Sequence, residues 1–222
     1  METSRTSRFA PLAGVLFLLI AVAAFALSND TPSTDDSAAK VADYWRDNDT
    51  KEAIASILGA LGAAVFVWFG ASLREAIARR EGGTGRLATL TFAGTVIFAV
   101  GLTTNCSIEF ATAIAADDVP DEVTQTLSTL YDGFFLPMTT GIALMFAASG
   151  LAALRTGFLP RWLGIVQLIA AALLFTPAGF FVFIASIVWV AAISVVLFRR
   201  GDTDALPPAT GTAAPAASPP PA

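Results

Sequence analysis

The side chains best placed to do chemistry in this sequence are Asn105, Glu109 and Asp132. Asn105 and Glu109 stand four residues apart, so on a helix they share one side, a turn apart. Thr91, Thr95 and Cys106 fall on that side too, within an arc of about 100° at helical spacing. Phe98 and Leu102 share the arc, so the face is mixed and not polar throughout. Asp132 lies at the matching level of the next apolar segment, and the three residues could form a small outer-leaflet polar pocket. Carboxyls inside a membrane carry protons or cations. The simpler reading leaves both acids in headgroup water, with the threonines and Gln167 hydrogen-bonding between helices. Depth favours the simpler reading. Glu109 lies about 33 Å from Leu87 by helical rise, near a membrane boundary, and no basic residue falls within an apolar run.

Much other chemistry is excluded. Histidine is absent, which removes His-ligated haem, the common zinc protease motif, histidine-based triads and histidine phosphorelay. A single cysteine, Cys106, permits no intrachain disulfide and no CxxC motif. "EGGTGR" has glycines but no Walker lysine. "GASLR" lacks the second glycine of a nucleophile elbow. Asp47-Asn48-Asp49 is rich in oxygen ligands, but the glycine and ligand spacing of a calcium loop are missing. No catalytic residue, metal or cofactor is expected, and no nucleic-acid partner.

The elements that must position these residues are membrane spans. Apolar residues make up 55% of the chain and charged ones 14%, far below the roughly 25% charge of a soluble domain. A helix needs about 20 apolar residues to cross the hydrocarbon. Six segments read as spans, at about 9–27, 53–73, 87–106, 130–154, 162–176 and 180–198. The long uninterrupted runs exclude the alternating short segments of a barrel. The fold class is therefore all-α, a polytopic transmembrane bundle. Residues 1–8 form an N-terminal tail, 9–198 the membrane domain, and 199–222 a Pro/Ala-rich tail expected to be disordered. The first span reads as a signal anchor, since it exceeds the 7–15 residues of a signal h-region. Cleavage at the weak Ala24-Phe25-Ala26 motif is the alternative.

Charge sets the expected orientation. With the N-terminus inside, the cytoplasmic pieces hold Arg5 and Arg8, then Arg74, Arg79, Arg80 and Arg86. Arg155 and Arg161 follow in the next such loop, and Arg199 and Arg200 at the end. Only Lys40, Arg46 and Lys51 fall outside. Basic residues near span ends stay in the cytoplasm, so both termini are expected there, with the plasma membrane as location. The lipid bilayer is the expected partner, and these arginines suit its anionic headgroups.

The two outer loops are acidic and each should carry a short amphipathic helix. In "STDDSAAKVADYWRDN", Val41, Tyr44 and Trp45 share a face, predicting a helix lying on the outer surface with its aromatics among headgroups. Pro120 with Asp121 and Glu122 should start a second helix that runs into the fourth span and kinks at Pro137. Ala55, Gly59 and Ala63 recur every fourth residue and should let helices approach closely, as should Gly141 and Gly150.

"VADYWRDN", "WFGASLR" and above all "LRTGFLPRWLG" resemble a group of uncharacterised bacterial, mainly actinobacterial, membrane proteins with a domain of unknown function. The likeness runs from about Phe9 to Arg200. It implies a six-helix integral membrane fold and the plasma membrane, and it assigns no activity. The expected function is non-enzymatic: a structural, sensory or partner-binding membrane module. The alternative is a small transporter or channel for protons, cations or a small solute, using Asn105, Glu109 and Asp132. A membrane enzyme would need paired carboxylates facing each other.

Overall fold

The computed structural model describes residues 10–28, 31–33 and 35–201. Arg5, Arg8, Asp30 and the Pro/Ala-rich segment beyond Gly201 lie outside the described residues. Among the described residues the fold is all-helical. A 3₁₀ turn, Ala10–Leu12, leads into α1 (Ala13–Leu27), followed by α2 (Ala38–Glu81), α3 (Arg86–Ala115) and α4 (Asp121–Gly133). Then come α5 (Leu136–Thr156), α6 (Arg161–Leu173) and α7 (Gly179–Gly201). Successive passes run antiparallel, with α4 and α5 together making one pass.

Local chemistry fixes where the passes begin. Ser37 caps α2, its Oγ accepting from the Lys40 backbone N–H at 3.4 Å. Just before it, Lys40 Nζ donates to Asp36 Oδ1 at 2.8 Å; this hydrogen bond holds the exposed Asp36 carboxyl below the usual carboxylate range. The "EGGTGR" loop turns α2 into α3 through Gly82, Gly83 and Gly85, all at positive φ. The carboxylate of Glu81 crosses that turn and accepts from the N–H groups of Leu87 at 2.7 Å and Ala88 at 2.9 Å. It thereby satisfies two donors that α3 leaves open and sets negative charge at the positive end of its dipole.

The outside of the bundle is oil. Trp68 is 69% exposed, Leu19 61%, Val100 61% and Phe181 75%. A water-soluble protein does not carry an apolar surface of this extent. Lipid is the solvent that it fits. Four stretches are long and apolar enough to cross a membrane: α2, α3, the α4–α5 pair and α7. The helices α1 and α6 are shorter, at 15 and 13 residues. Inside, Phe66 joins the layers, with its ring centroid 4.9 Å from Phe17 and 4.5 Å from Phe98.

Several boundaries differ from the sequence expectation. Helix α1 starts at Ala13, with Pro11 in the preceding 3₁₀ turn. Helix α6 stops at Leu173, three residues before the expected end. The segment around Trp45 is no separate surface helix. No glycine or proline separates it from the span that follows, so α2 continues unbroken for 44 residues, about 66 Å at helical rise. Helix α3 likewise runs on to Ala115. The face carrying Val41 and Trp45, expected among headgroups, instead meets Ala113 and Ala116 in a second small core. The second outer helix does exist as α4, and it breaks from α5 at Phe134–Phe135, just before Pro137.

Close packing of α3 on α5 rests on two glycines. A Cβ on Gly94 would lie 2.5 Å from the backbone nitrogen of Met145, and one on Gly141 would collide with the Phe98 backbone. Backbone cannot swing aside as a side chain can. Gly141→Val should therefore cost about 1–3 kcal/mol and lower the thermal midpoint in detergent. Gly133→Ala, where nothing lies within 4 Å, should leave that midpoint unchanged or slightly raised.

Candidate functional site

The inward stripe of α2 passes through Trp45, Ala55, Gly59, Ala63 and Phe66, and steps of three and four residues along it land on Glu52. Helical periodicity thus carries a carboxyl into the interior, where Glu52 is 1% exposed. Burial of such a group is tolerable only with partners. Tyr44 Oη, two turns earlier on α2, donates to Glu52 Oε1 at 2.5 Å. Ser28 Oγ, just past the end of α1, donates to Oε2 at 2.9 Å. Glu109 of α3, also buried at 6% exposure, comes within hydrogen-bonding reach of Glu52. Three segments therefore converge on one carboxyl.

Below this pair lies a cavity of about 480 Å³, walled by α1, α2, α3, α4, α5 and α7. Most of its wall is apolar, with Phe17, Phe98 and Phe183 prominent. Asn105, Glu109 and Asp132 all line it, so the three residues singled out in the sequence come together around one space. Their settings differ. Glu109 is buried, whereas Asp132 is exposed. Asn105 does structural work as well, its Nδ2 donating to the Tyr131 carbonyl at 2.8 Å and so holding the last turns of α4. Gly59 leaves room for Cys106 of α3 here, because a Cβ on Gly59 would lie 2.5 Å from Cys106 Sγ. Ala55 and Ala63 flank that point, both buried.

A cap sits over the site. The Trp45 ring meets Tyr131 edge-on at 6.1 Å and Tyr44 at 5.8 Å. Arg46 then ties three helices together. Its Nε donates to the Ala116 carbonyl at 3.0 Å, and its Nη2 donates to Asp121 Oδ1 at 2.6 Å. Gln125 Nε2 donates to the Asp36 carbonyl at 2.9 Å, fastening α4 to the segment before α2. Among the described residues no three His, Cys, Asp or Glu side chains converge as a metal site requires.

The remaining singled-out residues lie elsewhere. Arg74, Arg79 and Arg80 are at the end of α2, Arg86 begins α3, Arg155 is near the end of α5, Arg161 begins α6, and Arg199 and Arg200 close α7. All occupy the end of the bundle opposite the cap. Gln167 is buried between α5 and α6, its Nε2 donating to Ser149 Oγ at 2.9 Å. Sequence reasoning missed Glu52 and missed Tyr44 as its partner. The signal was present. Extending the face of Ala55 and Gly59 back by one turn reaches Glu52, and two more reach Trp45.

An apolar outer belt, spans of sufficient length and buried acids at one level define a polytopic helical membrane protein. The chain belongs to the family described as Domain of unknown function (DUF4386), whose model matches residues 12–199. No curated protein and no solved structure matches it.

The hydroxyl of Tyr44 and the carboxyl of Glu52 should act as a unit. In a double-mutant cycle of Tyr44→Phe and Glu52→Gln, read by unfolding in detergent, we expect a coupling of about 1 kcal/mol. Additive losses would show that the bond contributes nothing.

Proposed function

We propose that this protein is a non-enzymatic binding module of the plasma membrane that takes a small lipophilic cation into the cavity beneath the cap. The observation that carries this reading is the character of that cavity. Its body is apolar and aromatic, while its polar end holds Glu109 and Asp132 with no arginine or lysine among the lining residues. Such a space suits a ligand with a greasy body and a cationic head, which the aromatic faces and carboxylates both attract. The binding residues are Asn105, Glu109 and Asp132, with Glu52 behind Glu109. Both termini lie in the cytoplasm in this reading, because the arginines gather at one end and favour anionic headgroups there. The cavity then opens in the outer half of the membrane.

A second reading is carriage of protons or cations. The contact of Glu52 with Glu109 favours it, since two buried carboxyls in reach of each other are a natural relay between cavity and cap. Tetrapropylammonium serves as the probe for both. In nanodiscs, titration calorimetry should detect its binding, weakened at least tenfold by Glu109→Gln and less by Asp132→Asn. Undetectable binding, or binding indifferent to both substitutions, removes the proposal. Flux of the same cation from loaded proteoliposomes, sensitive to Glu109→Gln, would make the protein a carrier; binding without flux leaves it a receptor or sensor.

A further inference from the structure

We infer that the ligand of the cavity beneath the cap is a single-chain amphiphile, a long alkyl chain with a cationic head, which enters sideways from the bilayer between α1 and α7. This rests on the reading of that cavity as a cation site, and adds to it the ligand's tail and its route.

Near the arginine end of the bundle the two helices are fastened together. The Gly14 backbone N–H, one of the donors that the start of α1 leaves open, donates to Ser194 Oγ of α7 at 3.0 Å. A Cβ on Gly14 would lie 2.7 Å from that oxygen. The helices run antiparallel, so ten residues on from Gly14 and ten back from Ser194 reach one level nearer the cap, about 15 Å away. The residues at that level are Ala24 and Ile184, and both line the cavity. Phe25 lines it too and is 79% exposed, while Ile184 is 43% exposed. Both therefore belong to the cavity wall and to the apolar belt at once. Such residues form a rim, and this rim meets hydrocarbon.

Depth and polarity describe what fits. Glu109 and Phe98 line the cavity eleven residues apart on α3, about 16 Å by helical rise. Ser28 and Phe17 give the same separation on the opposite wall. One leaflet of hydrocarbon is about 15 Å thick, half of the whole core. The cavity thus has carboxyls at the membrane boundary and phenyl rings one leaflet deeper. An amphiphile already lying in the cap-side leaflet has the same layout. It can slide in with its head at the level of Glu109 and Asp132, while its tail never leaves apolar surroundings. A cation without a chain leaves the deep half of the cavity unfilled. Scaled from the roughly 150 Å³ that holds benzene, the 480 Å³ here takes about nineteen heavy atoms. Dodecyltrimethylammonium, with about sixteen, fits; a two-chain lipid, with more than about forty, does not.

Photolabelling in nanodiscs tests this, with dodecyltrimethylammonium carrying a diazirine at its chain tip. Phe17, Phe98 and Met138 line the cavity and are buried, so a tip moving in bulk lipid does not reach them. The tip should label these residues, and excess unlabelled dodecyltrimethylammonium should suppress that labelling. A neutral probe, the same chain ending in a hydroxyl, should label them about tenfold less, the effect of one lost charge contact. Ala21→Trp, which fills the α1 wall midway down, should reduce the labelling by at least as much. Should that variant fail to fold, Ile187→Trp fills the same space from α7. Labelling confined to outward residues such as Leu19 and Val100, equal labelling by the neutral probe, or labelling that the tryptophan leaves unchanged would each overturn the inference. Calorimetry with tetrapropylammonium on the same discs separates the two claims. If that compact cation binds while the tip never reaches Phe17, only the chain and its route are overturned; if neither probe binds, both claims are.

Discussion

The whole structure depends on which solvent faces its sides. Side chains such as Leu61, at 55% exposure, and Trp68, at 69%, point outward along the middle of α2. In water each would lose a few kcal/mol of transfer free energy, and together they would drive aggregation. In lipid they lose nothing. Lipid also forbids unpaired backbone, which is why every described element in the apolar zone is a helix. Since lipid gives no hydrophobic drive between helices, the bundle is held by shape. Gly94 against Met145 and Gly141 against Phe98 bring backbones together, and Phe17, Phe66 and Phe98 fill the middle.

Above the bundle the rules change. Helices α2 and α3 outrun the hydrocarbon, and with α4 they build a cap that has its own small core around Trp45. There, polar ties are affordable because water competes only at the rim. Arg46 and Gln125 use them to lock three segments. Glu52 stands where the two regimes meet. It is buried like a core residue but bonded like a cap residue, to Tyr44 and Ser28. That position gives Glu109 a polar neighbour at the head of an otherwise apolar cavity, and so gives the cavity its two-sided character.

How much of this was legible in the sequence depends on the range of the interaction. The four long apolar stretches were legible because length and apolarity act locally; so was the turn at "EGGTGR", whose glycines adopt positive φ. Helix ends were less so. The segment around Trp45 read as a separate short helix, yet nothing between it and the next span breaks a helix, and α2 runs on from its start at the Ser37 cap. Asn105, Glu109 and Asp132 were found from period and level alone. Glu52 was not, because its acidic neighbours Asp47 and Asp49 masked its place on the buried stripe. The unpaired buried atoms of Gln167 and Trp189 could not be read at all, since they depend on side-chain packing between helices far apart in sequence.

The most direct measurement is cysteine accessibility in intact cells, on a Cys106→Ala background, with a maleimide that cannot cross membranes. Asp47→Cys should react from outside, Leu61→Cys should never react, and Arg80→Cys should react only after lysis. Reaction at Leu61 would mean that water, not lipid, meets the belt. Reaction at Arg80 before lysis would reverse the orientation.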